Sequence, residues 1–256
     1  MVCYIDNIFY SPVKSISFID INSVKISKNR GIENDRIFSF TRIIDFDLAS
    51  LINNDPIQRK LQFFLTLKNT PSLNKYNFLL VDNYLIFKRY DSVKEIMRIE
   101  TNNINDYKKI SEKLIELETN IKKPIYLLKN TKNPFFDTTP KNTISLININ
   151  TVKEFSDRIK QNIQTSRFRG NIYVNDLKPW EEFTWVGKTI EINNVIFKVT
   201  DKIPRCSATN LQPGTNNVTL NLPLTLRKFY NHNFMGVFIT PEKDGFISKN
   251  NAINVL

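Results

Sequence analysis

Thr189-Ile190-Glu191-Ile192-Asn193-Asn194-Val195-Ile196-Phe197-Lys198-Val199 is the stretch from which the fold reads. Two short apolar-rich strands flank Asn193-Asn194, a pair suited to a tight two-residue turn. Ile172-Tyr173-Val174 lies upstream as another strand. Downstream, Gly236-Val237-Phe238-Ile239-Thr240 and Phe246-Ile247 flank the turn signal Asp244-Gly245. Five of the six glycines, Gly170, Gly187, Gly214, Gly236 and Gly245, fall in this region, as do both tryptophans, Trp180 and Trp185. Glycine recurring between short strands suits the turns and corners of a small antiparallel barrel. Two helices accompany it. One follows Thr151-Val152-Lys153-Glu154, read as a capping box, and buries Val152, Phe155 and Ile159. The other opens at Pro223 and runs to Tyr230.

The first half is also mainly strands. Tyr4 to Tyr10 reads as a strand stopped by Ser11-Pro12, and Val24 to Ser27 alternates with period two. Arg36 to Phe40 and Phe63 to Leu67 are further strands, with Arg36 opening its own. Phe78–Val81 and Tyr84–Phe87 form a hairpin across Asp82-Asn83, and Asn105 caps a helix with the stripe Tyr107, Ile110, Leu114 and Leu117. Between Lys122 and Pro140 periodicity is lost, which places a domain boundary between 122 and 123. The expected fold class is mainly β or α+β: a barrel-like N-terminal domain, residues 1–122, then a β-barrel with a few helices, residues 123–256.

Composition excludes much. The 256-residue chain holds no apolar run of membrane-spanning length and no visible signal peptide. Cys3 and Cys206 cannot form a disulfide framework, which fits a reducing, cytoplasmic compartment. With His232 as the only histidine there is no Cys/His zinc finger. No GxGxxG or GxxxxGK[ST] occurs. The net charge of +11 is spread evenly, +5 over residues 1–130 and +6 over 131–256, with no basic tail. A solvated surface drawn from a Lys-rich composition explains most of it, and a few of these cations could instead meet one anionic small molecule.

Cys206, in Ile203-Pro204-Arg205-Cys206-Ser207, follows a strand and stands beside a cation that favours its thiolate, the form that attacks or binds soft metals. An ordinary buried thiol is the other reading, and it is the expected one for Cys3. Lys14 and Ser15, in Ser11-Pro12-Val13-Lys14-Ser15, suit a phosphate. Arg167 and Arg169, in Arg167-Phe168-Arg169-Gly170-Asn171, would share a strand face at i and i+2. His232 is either a general base or a helix-terminal residue interacting with the dipole. A Ser-His-Asp hydrolase is disfavoured, because no GxSxG elbow occurs.

Several strings occur in one order: Tyr10-Ser11-Pro12-Val13-Lys14-Ser15; Gly31 then Asp35-Arg36; Phe136-Asp137 ahead of Ile144-Ser145-Leu146-Ile147; Arg167 to Ile172; Trp180-Glu181-Glu182 then Trp185-Val186-Gly187; Pro204-Arg205-Cys206; Thr209-Asn210 then Pro213; and Gly236-Val237-Phe238. Through them the second half resembles the MOSC domain. The first half resembles the β-barrel domain that precedes it in the amidoxime-reducing component class. The resemblance implies a molybdenum cofactor, molybdenum bound to molybdopterin, with Cys206 as metal ligand and catalytic centre. It implies that Lys14, Ser15, Arg36, Asn148, Arg169, Asn171 and Arg205 hold the cofactor; pyridoxal phosphate is not expected.

The implied activity is reduction of N-hydroxylated, amidoxime-like or related N- and S-oxygenated small molecules. Electrons would come from a separate ferredoxin- or cytochrome b5-like donor with its reductase, since no iron–sulfur cysteine set or haem site is visible. Neither a nucleic-acid partner nor a membrane span is expected. Gly170 stands where the family usually has proline, so a looser strand is expected there. Asn148 stands where relatives often carry serine, and Phe238 where tyrosine is common. The alternative is a cofactor or sulfur carrier using a Cys206 persulfide. A basic nucleic-acid-binding barrel ranks last, because it gives the ordered strings no role.

Overall fold

A computed structural model describes residues 3–42, 45–136 and 142–256. The first part of the chain carries β1 (Cys3–Tyr10), β2 (Ile19–Ile21), β3 (Ser23–Ser27), β4 (Gly31–Ile32), β5 (Phe38–Phe40) and α1 (Phe46–Asn54). It continues with β6 (Tyr76–Val81), β7 (Tyr84–Arg89), β8 (Glu95–Glu100), α2 (Ile104–Leu117) and β9 (Leu127–Lys129). The second part carries β10 (Ile144–Asn148), α3 (Ile149–Ile159), β11 (Ile172–Asn175), β12 (Thr189–Ile192) and β13 (Val195–Pro204). It ends with α4 (Leu222–Tyr230), β14 (Phe234–Pro241), β15 (Gly245–Ser248) and β16 (Ala252–Val255).

The molecule is mainly β, with a closed barrel of seven strands in the order β1-β11-β10-β14-β13-β12-β16, β16 pairing back onto β1. Closure leaves no free edge among the seven, and inward side chains such as Ile5, Ile8, Leu146, Val174, Phe197 and Val237 are fully buried. Residues 1–122 thus supply one barrel strand, and β3 pairs with β15, so hydrogen bonding crosses the 122/123 division. A second core, rich in Phe38, Phe40, Tyr76, Phe78 and Phe87, lies under the β6-β7-β8 meander and α2. Among the described residues no helix is long and apolar enough to cross a membrane.

Both expected hairpins form. Val81 pairs Tyr84 across Asp82-Asn83, and Ile192 pairs Val195 with Asn193 and Asn194 at φ 46° and 62°, the left-handed values an Asn pair tolerates. Other expectations are corrected. Phe63–Leu67 is not a strand: a 3-10 turn over Leu61–Phe63 precedes it, and Phe64 makes only an isolated bridge to Thr41. Arg36 does not open a strand but sits at φ 54°, two residues before β5. Asn103, not Asn105, caps α2, its side chain accepting from the Asn105 N–H.

The Thr151–Glu154 capping box does not form either, because α3 starts earlier. Asn148 caps it, and Thr151 turns inward to donate to Glu182. Pro223 occupies the first turn of α4 behind the cap Asn221. Gly170 is packed rather than loose. A Cβ there would meet Ile147 Cδ1 at 2.6 Å, and its N–H donates to the Tyr173 hydroxyl, a donor that proline lacks. Asp137 and Pro140 lie outside the described residues, as do Met1 and Val2.

Candidate functional site

β13 ends at Pro204 and releases Arg205 and Cys206 onto the barrel rim. The backbone here is pinned: the Arg205 N–H donates to Asn233 O, and Thr209 donates to Cys206 O through both its N–H and its hydroxyl, at 3.0 and 2.9 Å. Cys206 itself is exposed, whereas Cys3 is buried in the barrel, where burial pushes its thiol up to about 11. The buried-thiol reading therefore holds for Cys3 and fails for Cys206.

The thiol opens into a cavity of about 430 Å³. Seven of the eight expected residues line it: Lys14, Ser15, Arg36, Arg169, Asn171, Arg205 and Cys206. Arg205 is held by backbone carbonyls, donating to Phe168 O at 2.7 Å and to Met235 O through two nitrogens. Arg169 donates to Ile16 O at 2.8 Å. Burial lowers both guanidinium groups to about 10, the charge of Arg36 adding to the effect on Arg169, so both stay cationic at neutral pH.

Arg36 is ion-paired with Asp35 and lies 4.9 Å from each ring centroid of Phe18 and Phe136, while Arg169 lies 4.7 Å from that of Phe18. Lys14, nearly buried, donates to Phe135 O at 3.1 Å. Burial raises the Asp35 carboxyl, opposed by Arg36, by the Ser11 N–H and by the Asn171 amide. Asn171 also bonds the Ser145 hydroxyl at 2.8 Å, tying β11 to β10 at the cavity wall.

Ser15, Arg36 and Arg169 all hold left-handed backbone, at φ 63°, 54° and 51°. Outside Gly, Asn and Asp, only Lys160 and Trp180 share this among the described residues. Such conformations persist where surrounding structure dictates them, and they gather at functional sites.

Asn148 is not brought to the cavity. It is fully buried at the α3 N-terminus, where its amide donates to Lys178 O and Glu182. Arg167 and Arg169 do not share a strand face, because the backbone forms a 3-10 turn over Thr165–Phe168. Arg167 points elsewhere, into bonds with Asn210 O, Leu211 O and the Thr219 hydroxyl. His232 packs among Trp180, Phe183, Tyr230 and Phe234, its Nδ1 accepting from the Phe234 N–H. Burial, then Lys202, lowers its pKa, which disfavours the cationic form and with it the helix-dipole role.

The cavity wall that sequence reasoning missed is the segment Leu61 to Asn69, including Lys68. Read as a strand, it carried no site signal. A larger cavity of about 960 Å³ lies between α1, α2 and residues 119–129. It has both lysines and glutamates but no thiol or histidine, so chemistry rather than size selects the Cys206 cavity. Among the described residues no group of three His, Cys, Asp or Glu side chains could cage a metal.

Residues 135–254 match the family model described as the MOSC domain. The chain is 26% identical over 255 residues to the molybdenum cofactor sulfurase of Caenorhabditis elegans, covering 91% of this chain and 33% of that protein. The Caenorhabditis briggsae sulfurase is likewise 26% identical, with the same coverage. The chain thus spans about a third of the length of the curated relatives it matches. Among solved structures it is similar to the YUAD protein from Bacillus subtilis, with TM-score 0.47 and 10% identity over 100% of this chain and 96% of that one. It is also similar to YiiM from Geobacillus stearothermophilus, with TM-score 0.36 and 13% identity over 44% and 53% of the two chains.

Proposed function

Since residues 135–254 match the family model described as the MOSC domain, we propose that the protein binds a molybdenum cofactor in the Cys206 cavity and works as an oxidoreductase. Its substrates are N-hydroxylated, amidoxime-like or related N- and S-oxygenated small molecules, and its electrons come from a separate redox protein. One observation carries this reading. An exposed thiol and five cations, from segments as far apart as Lys14 and Arg205, line one cavity that no carboxylate lines among the described residues. The donor set fits. One soft ligand without a His/carboxylate cage suits a metal that arrives with its own sulfur ligands, and the cations suit an anionic cofactor.

When bound, the cofactor supplies two-electron redox chemistry that no side chain here can perform. Cys206 holds the metal from a strand end whose carbonyl is doubly fixed. Arg169 and Arg205, cationic at neutral pH, would balance negative charge together with Lys14 and Arg36, while the Ser15 hydroxyl would offer a hydrogen bond. Asn171 orients Ser145 and Asp35, and Asp35 holds Arg36. No side chain is assigned as general base, and protons reach the site from water.

The test is molybdenum by mass spectrometry with oxidised-pterin fluorescence, on wild type and Cys206→Ser from a cofactor-synthesising host. Both signals near one per chain are expected in wild type, with molybdenum lost in the variant. Wild type without either would refute the reading.

A second reading, sulfur transfer through a Cys206 persulfide, is favoured by the thiol's exposure and by similarity to the two sulfurases. It predicts one added sulfur on Cys206 in metal-free protein.

A further inference from the structure

We propose that the mouth of the Cys206 cavity selects substrates by charge, taking small molecules that carry a carboxylate or another oxyanion, and that Lys68 sets this preference. The proposal rests on the cofactor reading above and specifies its substrate class.

Among the described residues, the titratable side chains lining the cavity are Lys14, Arg36, Lys68, Arg169, Arg205 and Cys206. A wall whose described charged groups are all cations concentrates anions and repels cations. Four of the five cations are anchored within the protein: Lys14 to Phe135 O, Arg36 to Asp35, Arg169 to Ile16 O and Arg205 to Phe168 O and Met235 O. Those four meet the cofactor's own negative groups.

Lys68 differs. It is exposed, and it forms no ion pair among the described residues, so its charge is left for the incoming molecule. Its position is nonetheless defined. Buried Leu67 anchors one side, and Asn69 ties the loop by accepting from the Thr66 N–H and the Thr70 hydroxyl while donating to Phe64 O. A loop braced in this way holds one ammonium at the cavity wall.

Cys206 is a built-in reporter, since Cys3 is buried. Protein made in a host lacking molybdopterin is labelled with two methanethiosulfonates of similar size, one a sulfonate and one a trimethylammonium. Each rate is divided by the reagent's rate with 2-mercaptoethanol, and Cys206→Ser verifies the site by intact mass.

The anionic reagent is expected to be favoured about tenfold at low salt, the ratio shrinking towards one at high salt. Lys68→Glu should cut that ratio at least about threefold with unchanged thermal melting, and Lys68→Arg should retain it. A wild-type ratio of one or less at low salt, or labelling at Cys206 by neither reagent, overturns charge selection. An unchanged ratio in Lys68→Glu overturns the role of Lys68. Failure of the cofactor reading is a separate result, absent molybdenum and pterin in protein from a competent host, and it leaves the labelling ratios intact.

Discussion

Two buried carboxylates mark two regions of the molecule that solve the same electrostatic problem differently. Asp35, 1% exposed behind the cavity, faces the guanidinium of Arg36. Glu182, fully buried beside the α3 N-terminus, is met by neutral donors, the Thr151 hydroxyl, the Asn148 amide and its own backbone N–H. Burial raises both, Glu182 to about 7; the first group opposing it is the Arg36 cation at Asp35 and the neutral Asn148 amide at Glu182. The cavity region sets its carboxyl against an arginine. The α3 region uses a carboxyl as a structural clasp between a helix and the 3-10 turn Glu181–Trp185.

The sharpest way to break this contrast is Arg36→Ala. It strands Asp35 without its cation, and the expected loss is roughly 3–5 kcal/mol at pH 8 in urea unfolding. The loss should shrink as pH falls, since a neutral Asp35 needs no cation and burial raises this carboxyl. A pH-independent loss would mean that Arg36 serves packing alone.

Glu182→Gln should act in the opposite sense. The folded carboxyl, raised from 4.5 to about 7, favours the protonated form. Its contribution is complete below about pH 4.5 and is lost as pH rises through 7, by about 3 kcal/mol at most. Relative to wild type, the Gln variant should therefore gain stability between pH 5 and pH 8. A constant difference across that range would show that Glu182 ionises freely.

The smallest effect belongs to Cys3→Ser. It places a hydroxyl in the apolar barrel wall and should cost about 1–2 kcal/mol, with unchanged molybdenum and pterin content. Loss of either component would mean that β1 does more than close the barrel.

Legibility in the sequence followed the range of the interactions. Both hairpins were readable because alternation and an Asx pair act within ten residues. Cys206 was readable because Pro204 and Arg205 flank it after a strand. The α3 cap was misread by three residues, since Thr151 satisfies its hydroxyl through Glu182, 31 positions away. Arg167 and Arg169 parted because a 3-10 turn rotates successive side chains where a strand would alternate them. Lys68 gave no signal at all, because only the folded chain brings its loop to the wall of the Cys206 cavity.

By itself, the sequence determined the mainly β class, the turn positions and one thiol beside cations at a strand end. These are local matters, set by side-chain period, turn chemistry and neighbouring charge. Tertiary structure decided that β1 closes the barrel between β11 and β16, and that Lys14 and Arg36 thereby reach the cavity of Arg169, Arg205 and Cys206. Strand pairing across more than 160 residues depends on which buried faces fit together, and no local period carries that information.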